Sequence, residues 1–376
     1  MNNSQLDKNY QSFFIQVLLF IVFYTAIFSA FINTSLISIG LAILMLCLFI
    51  QKIKLSIIEL FLILALLGYI IITLILSENT IVPLKNFRFW YGIILYLILF
   101  KIFDPQRFIN MNFMRLLFAM IIVEAILINL IIDPSLIYTG PGSENHAFYG
   151  FYYRPMSFAG NASLSVSALI VLFASIDAFN KNKVYLFDWL IFILCVCLLH
   201  SGIGFVLIII FLIYKALSIN MIKAYYVFYF IFSVLIISIL IYLYVILTVS
   251  LDNIIYQKIS PNYFSRLFTS KIELYYSHFL DASFMNILLG NQINSLSPNT
   301  TGDFGWLILI QTLGTFGFIL YLGIIISYLG NNKKQFVPII LLMIATFHYP
   351  AAMTAAGQVI LATLLVYKKN NIYEKY

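Results

Sequence analysis

FDWLIFILCVCLLHSGIGFVLIIIFLIYKAL, residues 187–217, is apolar almost throughout and shows no alternation of polar and apolar positions. Crossing a bilayer core about 30 Å thick takes roughly 20 apolar residues of helix. Lipid offers the backbone no hydrogen-bond partner, so only helices and closed barrels cross it. Because the apolar residues are continuous, the stretch indicates helix and not barrel strands. The stretch could form two short helices or one long tilted helix, and we predict two, broken at Ser201-Gly202.

The rest of the chain has the same character. Of its 376 residues, 63% are hydrophobic and only 9% are charged, which excludes an ordinary soluble globular domain. The sequence therefore predicts an all-α, polytopic integral membrane protein with a single transmembrane domain over residues 1–376. Twelve apolar runs predict its membrane-spanning helices, at residues 12–31, 33–50, 57–77, 87–103, 113–133, 161–179, 186–200, 203–218, 226–250, 304–328, 336–349 and 351–367.

The basic residues indicate the orientation, because Lys and Arg favour the cytoplasmic side. With the N terminus inside, 15 of the 21 Lys and Arg residues fall at cytoplasmic ends. Both termini are then expected to be cytoplasmic. The net charge of +7 reflects this topology, since the charges form no stripe suited to nucleic acid. The first apolar run is too long for a cleaved signal peptide. The 6 remaining basic residues fall outside: Lys85, Arg88, Arg154, Lys258, Arg266 and Lys271.

Two long loops fall on the predicted outer side, at residues 134–160 and 251–302. Long loops on a rigid scaffold are common places for binding and catalysis. In the second loop, SRLFTSKIELYYSHFL and ASFMNILL predict two amphipathic helices lying on the outer face. Asp281 is the expected N-cap of the second helix, which stops at Gly290.

Two arginines lie in these loops although the topology rule disfavours basic residues there. Arg154 just precedes the sixth predicted helix, and Arg266 lies in the first loop helix of the second loop. One interpretation is an interfacial anchor or a partner for a nearby acid. The other is an anion clamp, because the planar guanidinium matches phosphate oxygens and keeps its charge. Lys85, Arg88 and Lys271 lie nearby in the topology and suit the same diphosphate site.

The acidic residues also have two interpretations. Asp303 heads a predicted helix, where a carboxylate serves as an N-cap or a first-turn acid. At the edge of the bilayer it would also serve as a general base that takes the proton of a sugar hydroxyl. Glu124 lies near the middle of the fifth run, where a charge is costly. We expect it to be a buried hydrogen-bonding residue or the partner of an arginine. Glu144 and His146 are alternative bases or sugar ligands.

Metal and thiol chemistry are not indicated. No group of His, Cys and acidic residues has metal-ligand spacing, so neither a metal nor another cofactor is expected. Cys47, Cys195 and Cys197 lie inside apolar runs and are interpreted as packing residues. The histidines instead fall at the predicted outer side, at His146, His200, His278 and His348.

Four segments resemble motifs of the bacterial O-antigen polymerases of the Wzy type and of the related O-antigen ligases. They are RPMSFAGNASLSVSAL, LLHSGIGFVLIII, the stretch from SRLFTSKIELYY to NILLGNQ, and GDFGWLILIQTLGTFGFILYLG. In the first, Arg154 leads through Gly160 and Asn161 into a helix, although the usual Pro before that Asn is absent. In the last, Asp303-Phe304 resembles the related peptidoglycan polymerases, whereas ligases carry His-Asn there, which favours a polymerase.

The resemblance implies a GT-C-like, metal-independent, inverting glycosyltransferase of the bacterial inner membrane. Donor and acceptor would be glycans on undecaprenyl diphosphate, and a chain-length regulator of the Wzz type, a flippase and the lipid bilayer would be partners. Arg154 and Arg266 would hold the leaving diphosphate, and Asp303 would deprotonate the acceptor hydroxyl. The substrate-binding set predicted with them comprises Lys85, Arg88, Glu144, His146, Tyr153, Asn161, His200, Lys271 and His278.

Three other functions stay open at this point. An O-antigen ligase would use the same donor but transfer the glycan to lipid A-core. A flippase or transporter for the lipid-linked sugar would carry charged residues deep in the bundle, where the sequence offers little beyond Glu124. A membrane scaffold without chemistry would tolerate the loss of Arg266 and Asp303 together.

Overall fold

The computed structural model describes residues 3–29, 35–53, 55–77, 90–103, 105–133, 152–179, 184–218, 269, 273, 283–290, 305–329 and 335–366. Within these ranges every secondary-structure element is a helix, and there is no β-strand. The described helices are α1 (Asn3–Ile27), α2 (Ser35–Leu48), α3 (Ile57–Leu76), α4 (Tyr91–Ile102), α5 (Met111–Ile126), α6 (Ala162–Phe179), α7 (Leu186–Leu199), α8 (Gly202–Ser218), α9 (Phe284–Leu289), α10 (Gly305–Leu329), α11 (Phe336–His348) and α12 (Ala355–Val366).

These helices confirm the all-helical prediction. Eleven of the twelve predicted runs coincide with a described helix, and the run at 226–250 lies outside the described residues. The predicted break at Ser201-Gly202 is also confirmed. The α7 helix ends at Leu199, His200 takes a left-handed conformation with φ 40°, and α8 begins at Gly202.

Three of the described helices are long and apolar enough to cross a membrane, namely Ile57–Leu76, Met111–Ile131 and Gly305–Tyr328. Much of α3 faces outward, with Ile57 87% and Ile75 76% exposed. An outward surface this apolar is typical of contact with hydrocarbon or with another protein. The other described apolar helices are 10–17 residues long.

The centre of the bundle is formed by α6 and α12. Every residue of α12 from Ala356 to Leu365 is buried, and α12 packs against α4, α1 and α6. Gln358 ties α12 to α4, because its Oε1 accepts from the Ile93 amide at 2.9 Å. Its Nε2 donates to the Met353 carbonyl at 2.7 Å. Both ends of this buried amide are therefore satisfied, which makes α4 and α12 a fixed pair.

Ion pairs mark one end of the bundle. Each joins helix ends that the sequence predicts to be cytoplasmic. The Arg115–Asp188 pair is bidentate, with nitrogen–oxygen distances of 2.8 and 3.1 Å. A carboxylate neutralises each of these three cations locally. Their positive charge therefore requires no bound anionic ligand to balance it. The described pairs are Lys101–Glu59, Arg115–Asp188 and Lys215–Asp177.

The α9 helix corrects two expectations about the second long loop. Its N-cap is Ser283, whose Oγ accepts from the Asn286 amide at 3.2 Å, so the predicted cap at Asp281 is wrong. Ser283 lies two residues after Asp281, directly before the helix, and has the same capping chemistry. The helix ends at Gly290 as predicted, with φ 90°. A helix on the outer face was expected to lie beyond the ends of the membrane helices. Instead, α9 packs against α10.

The contact between α9 and α10 is made at a break within α10. Gly314 has φ 62° and ψ 178°, which interrupts the helix. The break lies nine residues after Gly305, about 14 Å along the helix axis. A Cβ on Gly290 would lie 2.9 Å from the Gly314 nitrogen, so the two glycine backbones are in direct contact.

Hydrogen bonds hold this contact together. The Tyr69 hydroxyl of α3 lies within hydrogen-bond distance of the carbonyls of Leu289, at 2.9 Å, and Leu313. Thr315 Oγ1 donates to the Ile287 carbonyl at 3.0 Å. Three elements, α3, α9 and α10, therefore meet at the break.

Replacing Gly314 with alanine is expected to destabilise the protein by roughly 2–5 kcal/mol, because a side chain at this φ is strained and the added Cβ meets backbone. That Cβ would lie 2.6 Å from the Leu288 carbonyl carbon. Gly323→Ala in the same helix is the matched control, since its Cβ would meet only Leu62 Cδ2, at 3.6 Å. Thermal unfolding of the purified variants in detergent measures the difference. Equal melting temperatures would refute the assigned backbone geometry.

Candidate functional site

The segment Tyr152–Gly160, here called the Arg154 segment, joins the end of the first long loop to α6. It is held by the end of α5, where Leu127–Ile131 form a π-helical turn. Asn129 in this turn accepts from the Tyr153 amide and donates to the Tyr153 carbonyl, both at 2.8 Å. The side chain thus pairs with the backbone next to Arg154, as a neighbouring strand would. Single π-turns of this kind are frequent at functional sites.

Glu124 forms the second anchor of the segment. Its Oε1 accepts from the Met156 amide at 2.9 Å and from the Ser157 amide at 3.2 Å. The sequence predicted a buried hydrogen-bonding residue or the partner of an arginine, and the described partners are backbone amides. Glu124 and Asn129 together fix the backbone on both sides of Arg154. The Arg154 side chain itself is half-buried.

The turn from this segment into α6 is also specified by polar contacts. Ser157 has φ 59°, and its hydroxyl is buried without a hydrogen-bond partner in the described part of the chain. Ser165 Oγ donates to the Met156 carbonyl at 2.6 Å and accepts from the Ala159 amide at 3.1 Å. Asn161 Oδ1 accepts from the Ser163 amide at 2.8 Å, so this predicted binding residue acts as the cap of α6.

The Arg154 segment lies against the turn between α7 and α8. The Tyr152 hydroxyl donates to the Leu198 carbonyl at 2.7 Å. The Ser163 and Ser201 hydroxyls lie 2.8 Å apart. His200 lies between Leu198 and Ser201 in this turn. Its ring packs edge-on against the Phe205 ring, with the two ring centroids 6.0 Å apart. Two of the four segments that carry the resemblance are therefore neighbours in the structure.

The head of α10 is fixed on α11. Gly305 is pressed against backbone, since a Cβ there would lie 2.7 Å from the Tyr349 carbonyl oxygen and 2.7 Å from Pro350 Cα. The indole of Trp306 donates to the Met343 carbonyl at 3.1 Å. The α11 helix in turn packs against α6, the helix that begins beside the Arg154 segment.

Of the predicted site residues, the structure brings together Arg154, Tyr153, Asn161 and His200 at the junction of α5, α6 and α7. The others lie outside the described residues, so their placement beside Arg154 stays a prediction. They are Asp303, Arg266, Lys85, Arg88, Glu144, His146, Lys271 and His278. Sequence reasoning missed Asn129 and Ser165. Asn129 carried a signal, because it is a polar residue in an apolar run, five positions after Glu124.

No protein-family model, curated protein or solved structure matches this chain. The resemblance to the polymerases therefore rests on the four short segments and on the chemistry of their residues.

Glu124→Ala is expected to release the Arg154 segment, because two amides lose their acceptor at a cost of about 1–3 kcal/mol each. The amide hydrogens of Met156 and Ser157 should then exchange faster with solvent, as measured by mass spectrometry of the peptide containing them. Glu124→Gln is the matched control, since its amide oxygen still accepts from both groups. Equal exchange in all three proteins would contradict the assigned anchor.

Proposed function

We propose that the chain is a polysaccharide polymerase of the bacterial inner membrane. It joins undecaprenyl-diphosphate-linked oligosaccharide repeat units on the periplasmic side into O-antigen or capsular polysaccharide. The observation that supports the proposal best is the anchoring of Arg154 by Glu124 and Asn129. The backbone beside Arg154 is fixed at the end of apolar helices. The fork of donors on the Arg154 guanidinium matches the oxygens of the diphosphate of a lipid-linked sugar.

The proposed reaction is an inverting displacement at the anomeric carbon of the donor glycan. The acceptor hydroxyl attacks this carbon, the bond to the lipid diphosphate breaks, and the diphosphate leaves with the electron pair. Asp303 accepts the hydroxyl proton. Arg154 and Arg266 neutralise the negative charge that grows on the leaving diphosphate. Lipid diphosphate is a good leaving group, so the resemblance implies that no nucleotide and no metal is required.

The apolar helices support a membrane location for this chemistry. Three described helices are long and apolar enough to cross a bilayer, and the described ion pairs gather at the end that the sequence predicts to be cytoplasmic. The Arg154 segment lies at the opposite end of α5. This separation favours a site that faces the compartment where lipid-linked repeat units are polymerised.

The direct test uses the full chain, purified in detergent or nanodiscs, with the cognate lipid-linked repeat unit as both donor and acceptor. A ladder of longer glycans on gel electrophoresis is expected. The absence of a ladder with folded protein and the cognate substrate would refute the polymerase. Protein heated beyond its unfolding transition serves as the background control.

A gene deletion separates the polymerase from the ligase in a strain that makes lipopolysaccharide. Loss of a polymerase leaves lipid A-core bearing a single repeat unit. Loss of a ligase leaves bare core. Restoration of the long-chain ladder by a plasmid copy completes the test, and bare core in the deletion strain would overturn the polymerase in favour of the ligase.

A further inference from the structure

The two helical turns that meet at the break in α10 carry three buried oxygen atoms that have no hydrogen-bond partner in the described part of the chain. They are Asn286 Oδ1, Gln311 Oε1 and Thr312 Oγ1. The three side chains are only 6%, 5% and 1% exposed. Buried polar atoms are almost always hydrogen-bonded, so three without partners on two contacting turns require an explanation.

The three residues belong to the two helical turns that meet at the break. Asn286 lies in the last turn of α9, where its carbonyl accepts from the Gly290 amide at 2.8 Å. Gln311 and Thr312 lie in the turn that ends at Gly314. The Thr312 carbonyl carbon would be 2.8 Å from a Cβ on Gly290, so the two turns touch through their backbones.

The chemistry of these atoms specifies what they can bind. The two side-chain amide oxygens can only accept, and the hydroxyl can also accept. An occupant must therefore bring positive charge or hydrogens. The described residues contain no group of three or more His, Cys, Asp or Glu side chains that could hold a metal ion. Divalent Mg²⁺ and Ca²⁺ generally require carboxylates, whereas neutral oxygens suit a monovalent ion.

The backbone adds to this preference for a cation. The first part of α10 ends at the break, and the end of a helix carries carbonyl groups and the negative end of the helix dipole. Non-helical backbone at membrane depth occurs where it is buried in protein or lines a cavity. Interrupted helices that coordinate Na⁺ with unwound carbonyls are a recurring form of such sites.

We propose that the break in α10 binds a monovalent metal cation, Na⁺ or K⁺, through the side-chain oxygens of Asn286, Gln311 and Thr312. The bound ion ties α9 to α10 at the break. This site is separate from the proposed glycan chemistry, and it stands whether or not the chain polymerises glycans.

The test measures thermal unfolding of the purified full chain in NaCl, KCl and choline chloride at equal ionic strength. We expect Na⁺ or K⁺ to raise the melting temperature by about 5 °C at saturation, with a concentration dependence that saturates. Gln311→Met and Thr312→Val preserve volume, remove one oxygen each, and should abolish the rise. Thr363→Val is the matched control, because the Thr363 hydroxyl is buried in α12 and bonds the Val359 carbonyl at 2.8 Å. It should retain the full rise.

Equal melting temperatures of the unsubstituted protein in all three salts would overturn the proposal. In that case Thr312→Val should itself raise the melting temperature, since replacing an unpartnered buried hydroxyl by a methyl group removes a desolvation penalty. Stabilisation by CaCl₂ or MgCl₂ but not by Na⁺ or K⁺ would also overturn it. Line broadening of the ²³Na resonance by the unsubstituted protein, reversed by excess K⁺, is a second measurement that requires no variant to fold.

Discussion

Arg154→Ala is expected to lower the rate of polymerisation by about 100-fold or more, because the guanidinium stabilises charge that grows on the leaving diphosphate. The loss should fall mainly on kcat, since this interaction is stronger in the transition state than with bound substrate. The measurement is the initial rate of ladder formation with purified protein and lipid-linked repeat unit, across a range of substrate concentrations.

Arg154→Lys and Arg107→Ala are the informative companions of this variant. Lysine retains the charge but lacks the planar fork of donors. The activity of Arg154→Lys should therefore lie between that of the unsubstituted protein and that of Arg154→Ala. Arg107 is an exposed cation at the end of the helix bundle that the sequence predicts to be cytoplasmic. Its loss should therefore leave the rate unchanged. Full activity of Arg154→Ala would remove this residue from the mechanism and leave it as an interfacial anchor.

The anchoring of Arg154 separates a catalytic defect from a folding defect. Glu124 and Asn129 bind the backbone of the Arg154 segment, at Tyr153, Met156 and Ser157. Removing the Arg154 side chain should therefore leave the amide exchange of Met156 and Ser157 unchanged while the rate falls. A variant at Glu124 should change both. The two measurements together assign the effect to chemistry or to position.

The positions of the helices could be predicted from the sequence because they follow from a local property. Each apolar run is continuous, and turn residues such as Ser201 and Gly202 separate neighbours. The ion pairs could not be predicted in the same way. Arg115 and Asp188 are 73 residues apart, and their pairing depends on how α5 and α7 pack. The topology rule placed each cation at its end of the bundle but not beside its acid.

The break in α10 shows where local reasoning stops. Gly314 lies inside an apolar run, and glycine is tolerated in membrane helices, so the sequence predicted one continuous helix. The reason for the break comes from α9, whose Gly290 backbone occupies the space at Gly314. The loop helix was itself predicted, including its end at Gly290. Its docking partner was not, because an amphipathic pattern specifies an apolar face and not what that face contacts.

In the described part of the candidate site, the sequence indicated which residues form polar contacts but not which partners they contact. Glu124 was expected to form buried hydrogen bonds, and it does so with the amides of Met156 and Ser157. Asn161 was expected to bind substrate, which stays a prediction, and in the structure its side chain caps α6. Both functions suit an amide side chain, and the sequence alone contains nothing that chooses between them. The cap itself depends on the path of the backbone at Gly160, which has φ 67°.

Asp303→Asn is expected to have the other large effect on the rate, a loss of about 10²–10⁴-fold, because asparagine cannot accept the proton of the acceptor hydroxyl. Asparagine and aspartate are equally good helix caps, so the melting temperature should stay unchanged. This pair of measurements separates the two interpretations of Asp303. A cap predicts full activity and unchanged stability, whereas a base predicts lost activity and unchanged stability.

The structure makes this experiment sharper, since Asp303 precedes Gly305 by two residues and Gly305 is held against α11 by backbone contacts. We expect an isosteric amide at position 303 to leave that packing of Gly305 intact. Asp133→Asn, an exposed acid after α5, is the control for charge removal and should retain the full rate. Normal polymerisation by the Asp303→Asn protein would leave Asp303 as a helix cap and assign the base to Glu144 or His146. In that event Glu144→Gln and His146→Gln are the variants whose rates decide between the two.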